Sequence, residues 1–339
     1  GSVNTKYLIA FKGTDDDFDT DNGYGGVNQF GIALRDSAYY DPTYSLPSGS
    51  STSEGFESDN EASGTAQVQP YTNAVFSNYT MVGPVPVGSK YSEMNATTKA
   101  AFRRGARIRR NSSLRIVNSI FMGYRNFLMI DGDSCVRNTN CTEALALVTP
   151  STPVDVATHQ ISFANNLIVN TASAFTSTTD TTANGFIEVA RGAGSKAKLD
   201  ALNGCLRGSG ALANNIDPVP FTTGTVLINP LASSTTPDFR PVAASPASAG
   251  ANFTDNPILA NLFTASHEIE EARMDPVYPN PAAGGNLYFG KEVVSYGIFD
   301  GSGKLVRHGF DADHADISGL PQGLYFIKLD GRMQKFIVQ

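Results

Sequence analysis

Between residue 7 and about residue 232, apolar and polar positions alternate in short runs rather than in helical turns. Segments such as TKYLIAF, NQFGIALRD, NAVFSNYTMVG, HQISFANNLIVNTA and GTVLINPLA are β-branched or aromatic, and each is bounded by Gly, Asn, Asp or Ser. That is the pattern of short strands between turns. One stretch departs from it: EMNATTKAAFRRG, 93–105, predicts a short helix. In GARIRRNSSLRIVNSIFMGYRNFLMIDG the apolar positions Leu114, Ile116, Ile120, Phe127 and Met129 are broken by Asn118, Gly123 and Asn126, with no hairpin dipeptide among them. Small corners of this kind predict a coil that keeps turning the same way, a parallel β-helix of about 20 to 25 residues per coil. The surplus length falls to insertions at 39–53 and 176–184.

Repetition supports the solenoid. Phe18-Asp19-Thr20-Asp21-Asn22 recurs 38 residues later as Phe56-Glu57-Ser58-Asp59-Asn60, and Phe127 to Asp133 is a looser echo. If these positions are equivalent on neighbouring coils, the Phe rings stack inside and the acids stack outside. Strands on successive coils lie about 4.8 Å apart. Two carboxylates at that spacing repel by roughly 3 kcal/mol at an effective dielectric of 20.

The stretch TDDDFDTDNG, with five carboxylates in seven residues, therefore needs a compensator. Three are open. A Ca²⁺ ion would take Asp17, Asp19, Asp21, Glu57 and Asp59, with Asn22 and Asn60 as neutral donors. Arginines 103, 104, 107, 109, 110 and 115 would pair with the acids. Water alone would suffice for a fully solvated face. An EF-hand is excluded, because its sixth and twelfth places, counted from Asp17, hold Asn22 and Asn28.

Asp238 to Phe253, DFRPVAASPASAGANF, resembles the terminal coil of right-handed parallel β-helix proteins related to polysaccharide lyases, which implies that the solenoid closes there. The chain's end is more specific. Val277-Tyr278-Pro279-Asn280-Pro281 is followed by VVSYGIFDGSGKLVRHG, DISGLPQGLYFIKL and a final KFIVQ. This resembles the type A C-terminal sorting domain of the type IX secretion system of the Bacteroidetes. The resemblance makes Tyr278, Pro279, Asn280, Pro281, Gly323, Leu324, Tyr325 and Lys335 the sorting signal. It implies a secreted protein displayed on the outer cell surface, with the type IX translocon and its sortase as partners. Read from the residues alone, the same segment predicts a small immunoglobulin-like antiparallel β-sandwich, its turns at FDGSGK and LPQG.

The front of the chain, from VNTKYLIAF through GFESDNEASG, resembles a group of secreted Bacteroidetes proteins carrying this tail. In that group a further acidic coil precedes the equivalent of Gly1, so the β-helix is expected to be N-terminally incomplete. The expected organisation is all-β: a right-handed parallel β-helix over 1–253, a linker over 254–273 and the sorting domain over 274–339.

Composition agrees with an extracellular, turn-rich protein: 32 Gly, 18 Pro, no Trp and only 17% charged residues. A formal charge of −7 argues against a nucleic-acid partner. No apolar run is long enough to span a bilayer. Cys135 and Cys141 stand six apart in a polar loop, where a small disulfide is feasible, leaving Cys205 over. No His lies near enough to make a metal site of them.

Two functions from different classes remain. An adhesive or glycan-binding solenoid would use its long faces and the exposed Tyr39, Tyr40 and Tyr44. A polysaccharide lyase would need a Ca²⁺-bound uronate and a base such as Arg107 or Arg109, whereas a glycoside hydrolase would need two carboxylates such as Asp19 and Asp59. No dedicated catalytic motif supports either enzyme, and the four histidines are scattered.

Overall fold

Each coil of the N-terminal part contributes one strand set to each of two parallel sheets. In chain order these are β1 (Thr5–Lys6), β2 (Ile9–Phe11) and β3 (Phe18–Thr20); β4 (Val27–Leu34) and β5 (Phe56–Ser58); β6 (Val75–Val82) and β7 (Arg104–Ile108). They continue with β8 (Arg115–Val117), β9 (Ile120–Met122) and β10 (Asn126–Asp131); then β11 (Ser162–Ala164), β12 (Leu167–Val169) and β13 (Ile187–Ala190); and finally β14 (Ile216–Val219). The first sheet stacks β1/β2, β4, β6, β8/β9, β11/β12 and β14, and the second stacks β3, β5, β7, β10 and β13. All the pairings are parallel, as a solenoid requires. The computed structural model describes residues 1–42, 52–62, 68–86, 89, 91–169, 187–190, 196–207, 216–219, 226–231, 233–248, 251–253, 277–330 and 332–339. They divide into two units, Gly1–Asn252 and Phe253–Gln339. The expected linker at 254–273 lies wholly outside the described residues, as does the insertion at 176–184.

The corners repeat as strictly as the strands. Tyr7, Phe30, Asn78, Asn118 and Asn165 occupy matching positions on five coils, and all have φ between 53° and 62°. Only Gly, and to a lesser degree Asn, takes this left-handed conformation at low cost, so three of the five are Asn. The other two, Tyr7 and Phe30, stack their rings at 5.6 Å, which offsets part of that strain.

Inside the coil the expected pairing of the repeats holds. Phe18 pairs with Phe56, Asp19 with Glu57 and Thr20 with Ser58, and the two Phe rings stack at 5.3 Å. Phe76, Tyr79, Phe121, Phe127 and Phe163 continue this aromatic core. The third echo is one residue out of step: Leu128, not Phe127, stands over Ala106 and so in the Phe56 column.

Three further expectations are corrected. The helix at 93–105 is confined to α1 (Ala96–Ala101), where Asn95 accepts a bond from Thr98 N at 2.8 Å; Arg104 and Gly105 already belong to β7. The DFRP segment does not form a terminal coil. It makes β16 (Asp238–Pro241), antiparallel to β15 (Leu227–Asn229), and Val226 and Leu227 cluster with Leu34, Val82, Met122, Leu167 and Val169. Leu34, Val82, Met122 and Val169 form one in-register row on the first sheet, outside the aromatic core. This row is apolar and needs cover, which is why the segment lies along the flank.

The disulfide is the third correction. Cys141 bonds Cys205, and Cys135 is free and fully buried. The polar loop around the first two cysteines folds into α2 (Asp133–Asn138) and α3 (Thr142–Leu145). Cys135 sits on α2 with its side chain turned into the core, while Cys141 caps α3 and meets α5 (Lys196–Arg207). Between α3 and α5 lies α4 (Val156–His159).

The terminal unit is antiparallel. Its four strands, β17 (Asn286–Asp300), β18 (Leu305–Asp316), β19 (Gly323–Leu329) and β20 (Arg332–Val338), run in the order β18-β17-β19-β20 around a separate apolar core.

Candidate functional site

The outer face of the second sheet gathers most of the predicted charged residues. On β5 the alternation sends Phe56 and Ser58 inward and Glu57 outward. One coil further on, Glu57 is in register with Arg107, so the acidic column Asp19–Glu57 ends on an arginine. Arg107 reaches Asp131 at 2.8 Å and Glu57 at 3.5 Å. Arg109 binds Glu57 through Nη2 and Asp59 through Nε, the latter at 2.6 Å, and Arg110 binds the other oxygen of Asp59 at 2.6 Å.

A second, deeper group lies beside it. Arg35 donates to Asp17 at 2.8 Å, with both side chains fully buried, and also to the carbonyls of Gly13 and Glu54. Arg104 donates to the Glu54 carboxylate at 2.8 Å from its side chain and at 3.0 Å from its backbone N–H. Asp16 accepts from the Glu54 backbone N–H at 2.6 Å.

Burial sets the protonation here. It lifts the Asp16 carboxyl to about 9, with Glu57 and Glu54 adding to the rise. Burial also lifts Glu57 to about 7 against the pull of Arg109 and Arg107, and Asp17 to about 6 against Arg35. Asp19 and Asp21 are raised more mildly, first by partial burial and then by neighbouring acids. At neutral pH Asp16 thus carries a proton.

Of the five residues expected to hold a cation, Asp17, Glu57 and Asp59 turn their oxygens toward guanidinium groups, and Asp19 and Asp21 are exposed. The donors do not converge on one point. Among the described residues the group that does converge is Cys141, Glu143 and Cys205, whose two sulfurs are bonded to each other. The donor set therefore does not fit Ca²⁺, and arginine is the compensator that the geometry supplies for Asp17, Glu57 and Asp59.

Sequence reasoning singled out Arg104, Arg107, Arg109 and Arg110 and counted Asp16 in the acidic run, but it gave Asp131 no partner and missed Arg35 and Glu54. The one available signal for Arg35 was a lone charge directly after the apolar run of β4. Arg103 and Arg115 lie outside these pairs; Arg115 caps α4 by donating to the carbonyls of Val156, Ala157 and Gln160. Tyr39 is exposed and has Lys12 near its ring, Tyr40 is half-buried rather than exposed, and Tyr44 lies outside the described residues.

In the terminal unit the expected sorting residues come together. Asn280 donates to the Lys335 carbonyl at 3.2 Å and accepts from Ile337 N–H at 3.1 Å, so the Tyr278–Pro281 opening is tied to the last strand. Gly323, Leu324 and Tyr325 pair with Val338, Ile337 and Phe336 of that same strand.

A pectate-lyase-like β-helix domain matches residues 1–200, more than half of the chain. The chain belongs to the pectate-lyase-like β-helix family. A secretion system C-terminal sorting domain matches residues 276–339, the unit that holds the Tyr278–Pro281 opening. No curated protein and no solved structure matches. A pectate-lyase-like β-helix with this tail is a type IX secretion cargo, delivered to the cell surface or beyond and engaged by that secretion machinery. No helix among the described residues is long and apolar enough to cross a membrane.

Proposed function

We propose that the chain is a surface-displayed solenoid that binds rather than catalyses, taking a glycan or further copies of itself as its partner. The observation that carries this reading is the commitment of charge on the second sheet. Arg107 and Arg109, the bases a lyase would use, and Asp59, a carboxylate a hydrolase would use, are each held in at least two ion-pair contacts. A general base must be free to reach a substrate proton. The exposed apolar side chains of the first coil, Tyr7, Ile9 and Phe11, supply a contact surface instead. Binding to a glycan array without formation of unsaturated uronide product would support the reading. Turnover of a uronate polymer would overturn it.

One observation favours the enzymatic alternative, a lyase or hydrolase on the same face. Asp16 keeps its proton at neutral pH beside Glu57, and such a pair has the form of a general acid and its partner. If that pair works catalytically, Asp16→Asn abolishes product release from a polysaccharide panel, and a panel with no turnover removes this reading.

We further read the coil as right-handed, the hand that strand–crossover–strand connections nearly always take, and the terminal unit as an immunoglobulin-like sandwich.

A further inference from the structure

The terminal unit has a cavity that the sorting role does not explain. Strand β17 pairs Tyr288 with His314 and resumes with Val293 opposite Ala312, so Phe289 to Glu292 face Asp313 alone. Such a bulge bends the strand and re-aims its side chains. Here Phe289 turns into the core, and Lys291 and Glu292 are left exposed. Gly290 at φ 75° and Asp311 at φ 46° make the bend on either strand. The result is a cavity of about 520 Å³, bounded by Tyr278 and Tyr288 on one side and by Lys291, Glu292, Asp311 and Asp313 on the other.

The aromatic wall is built rather than incidental. Tyr278 and Tyr288 exchange both backbone hydrogen bonds, at 3.0 and 2.8 Å, which sets their rings side by side at 5.7 Å and 22°. Near-parallel rings so far apart are offset, and part of each face stays open. His314 extends the strip at 5.7 Å from Tyr288 and is held by Asp313 at 2.6 Å. Tyr278 and Tyr288 are 52% and 41% exposed. Neither tyrosine hydroxyl, nor Lys291, Glu292 or Asp311, has a hydrogen-bond or ion-pair partner among the described residues.

We propose that this cavity is a saccharide site for a neutral pyranose, one that carries no carboxylate. An open aromatic face takes the C–H side of a sugar ring, and carboxylates and an ammonium group around it take the hydroxyls as acceptors and donors. A cavity of this size admits one or two sugar rings. Three carboxylates around a single lysine repel a uronate, which sets the ligand class apart from pectin-like polymers. The site lies wholly in the terminal unit and does not rest on the binding reading of the β-helix.

The test uses the full chain, with maltose, diacetylchitobiose and digalacturonate as probes in ligand-observed NMR and calorimetry. Saturable binding of at least one neutral disaccharide is expected, with digalacturonate at least about tenfold weaker. Tyr288→Ala should weaken binding by about tenfold or more at an unchanged melting temperature, and Tyr288→Phe should retain it. Asp311→Asn, on the opposite wall, should also weaken it and serves if Tyr288→Ala is poorly folded. The proposal is overturned if neither neutral disaccharide binds, if binding survives Tyr288→Ala, or if digalacturonate binds equally well. Because these substitutions leave the second sheet untouched, glycan retention that persists in Tyr288→Ala belongs to the β-helix.

Discussion

Asp16 is the residue whose environment departs furthest from water. In the unfolded chain its carboxyl loses its proton near pH 4, whereas in the fold it holds it to about 9. The folded state therefore binds more protons across that window, and stability falls as pH rises through it, by at most about 1.4 kcal/mol per pH unit for one group. Glu57 and Asp17, raised to about 7 and 6, act in the same direction lower in the window. Between pH 7 and 9 the slope belongs mainly to Asp16, so urea unfolding of Asp16→Asn should show little pH dependence there. A second prediction concerns Arg104, whose side chain and that of Glu54 are 5% and 0% exposed. Arg104→Ala strands a buried carboxylate and should cost about 3 to 5 kcal/mol, while Arg104→Met combined with Glu54→Gln should recover most of that in the same assay. The Phe18–Phe56 column could be read from the chain because two copies of one short pattern lie 38 residues apart. The partners of the acids could not, because Glu57 and its arginines are 50 and 52 residues apart and the intervening length varies from coil to coil.

At the scale of elements, the flank cover decides how the first sheet meets solvent. Leu227 is 1% exposed, seated against the outer apolar row. Leu227→Ala should cost about 2 to 4 kcal/mol and increase dye binding to exposed apolar surface. The Cys141–Cys205 bond joins positions 64 residues apart. Non-reducing peptide mapping should recover that pair with Cys135 free, and Cys205→Ser should lower stability by roughly 4 kcal/mol. Parallel strands and Asn corners were legible because each coil reuses one local rule. The helices α2, α3 and α4 were not, since one turn and a half is too short for a helical period to emerge. The course of β15 and β16 depends on which outer row is apolar, a property of the assembled sheet.

In the whole molecule, each coil is supported chiefly by its neighbours, and large apolar side chains in solvent stand together around β1 and β2. Tyr7, Ile9 and Phe11 are 74%, 73% and 58% exposed there. If copies meet through these side chains, sedimentation should show concentration-dependent association that Ile9→Lys abolishes; identical behaviour of the two proteins would remove self-association from the proposed partners. Tension on a surface-displayed chain would act from its two ends. A chain drawn out from its ends lengthens by about 3.5 Å for every residue released. The covalent tie at Cys141 and Cys205 keeps a 64-residue span out of that extension. Roughly 220 Å of slack is thereby withheld, and the stretch from Cys141 on α3 to Cys205 on α5 is not drawn out as thread.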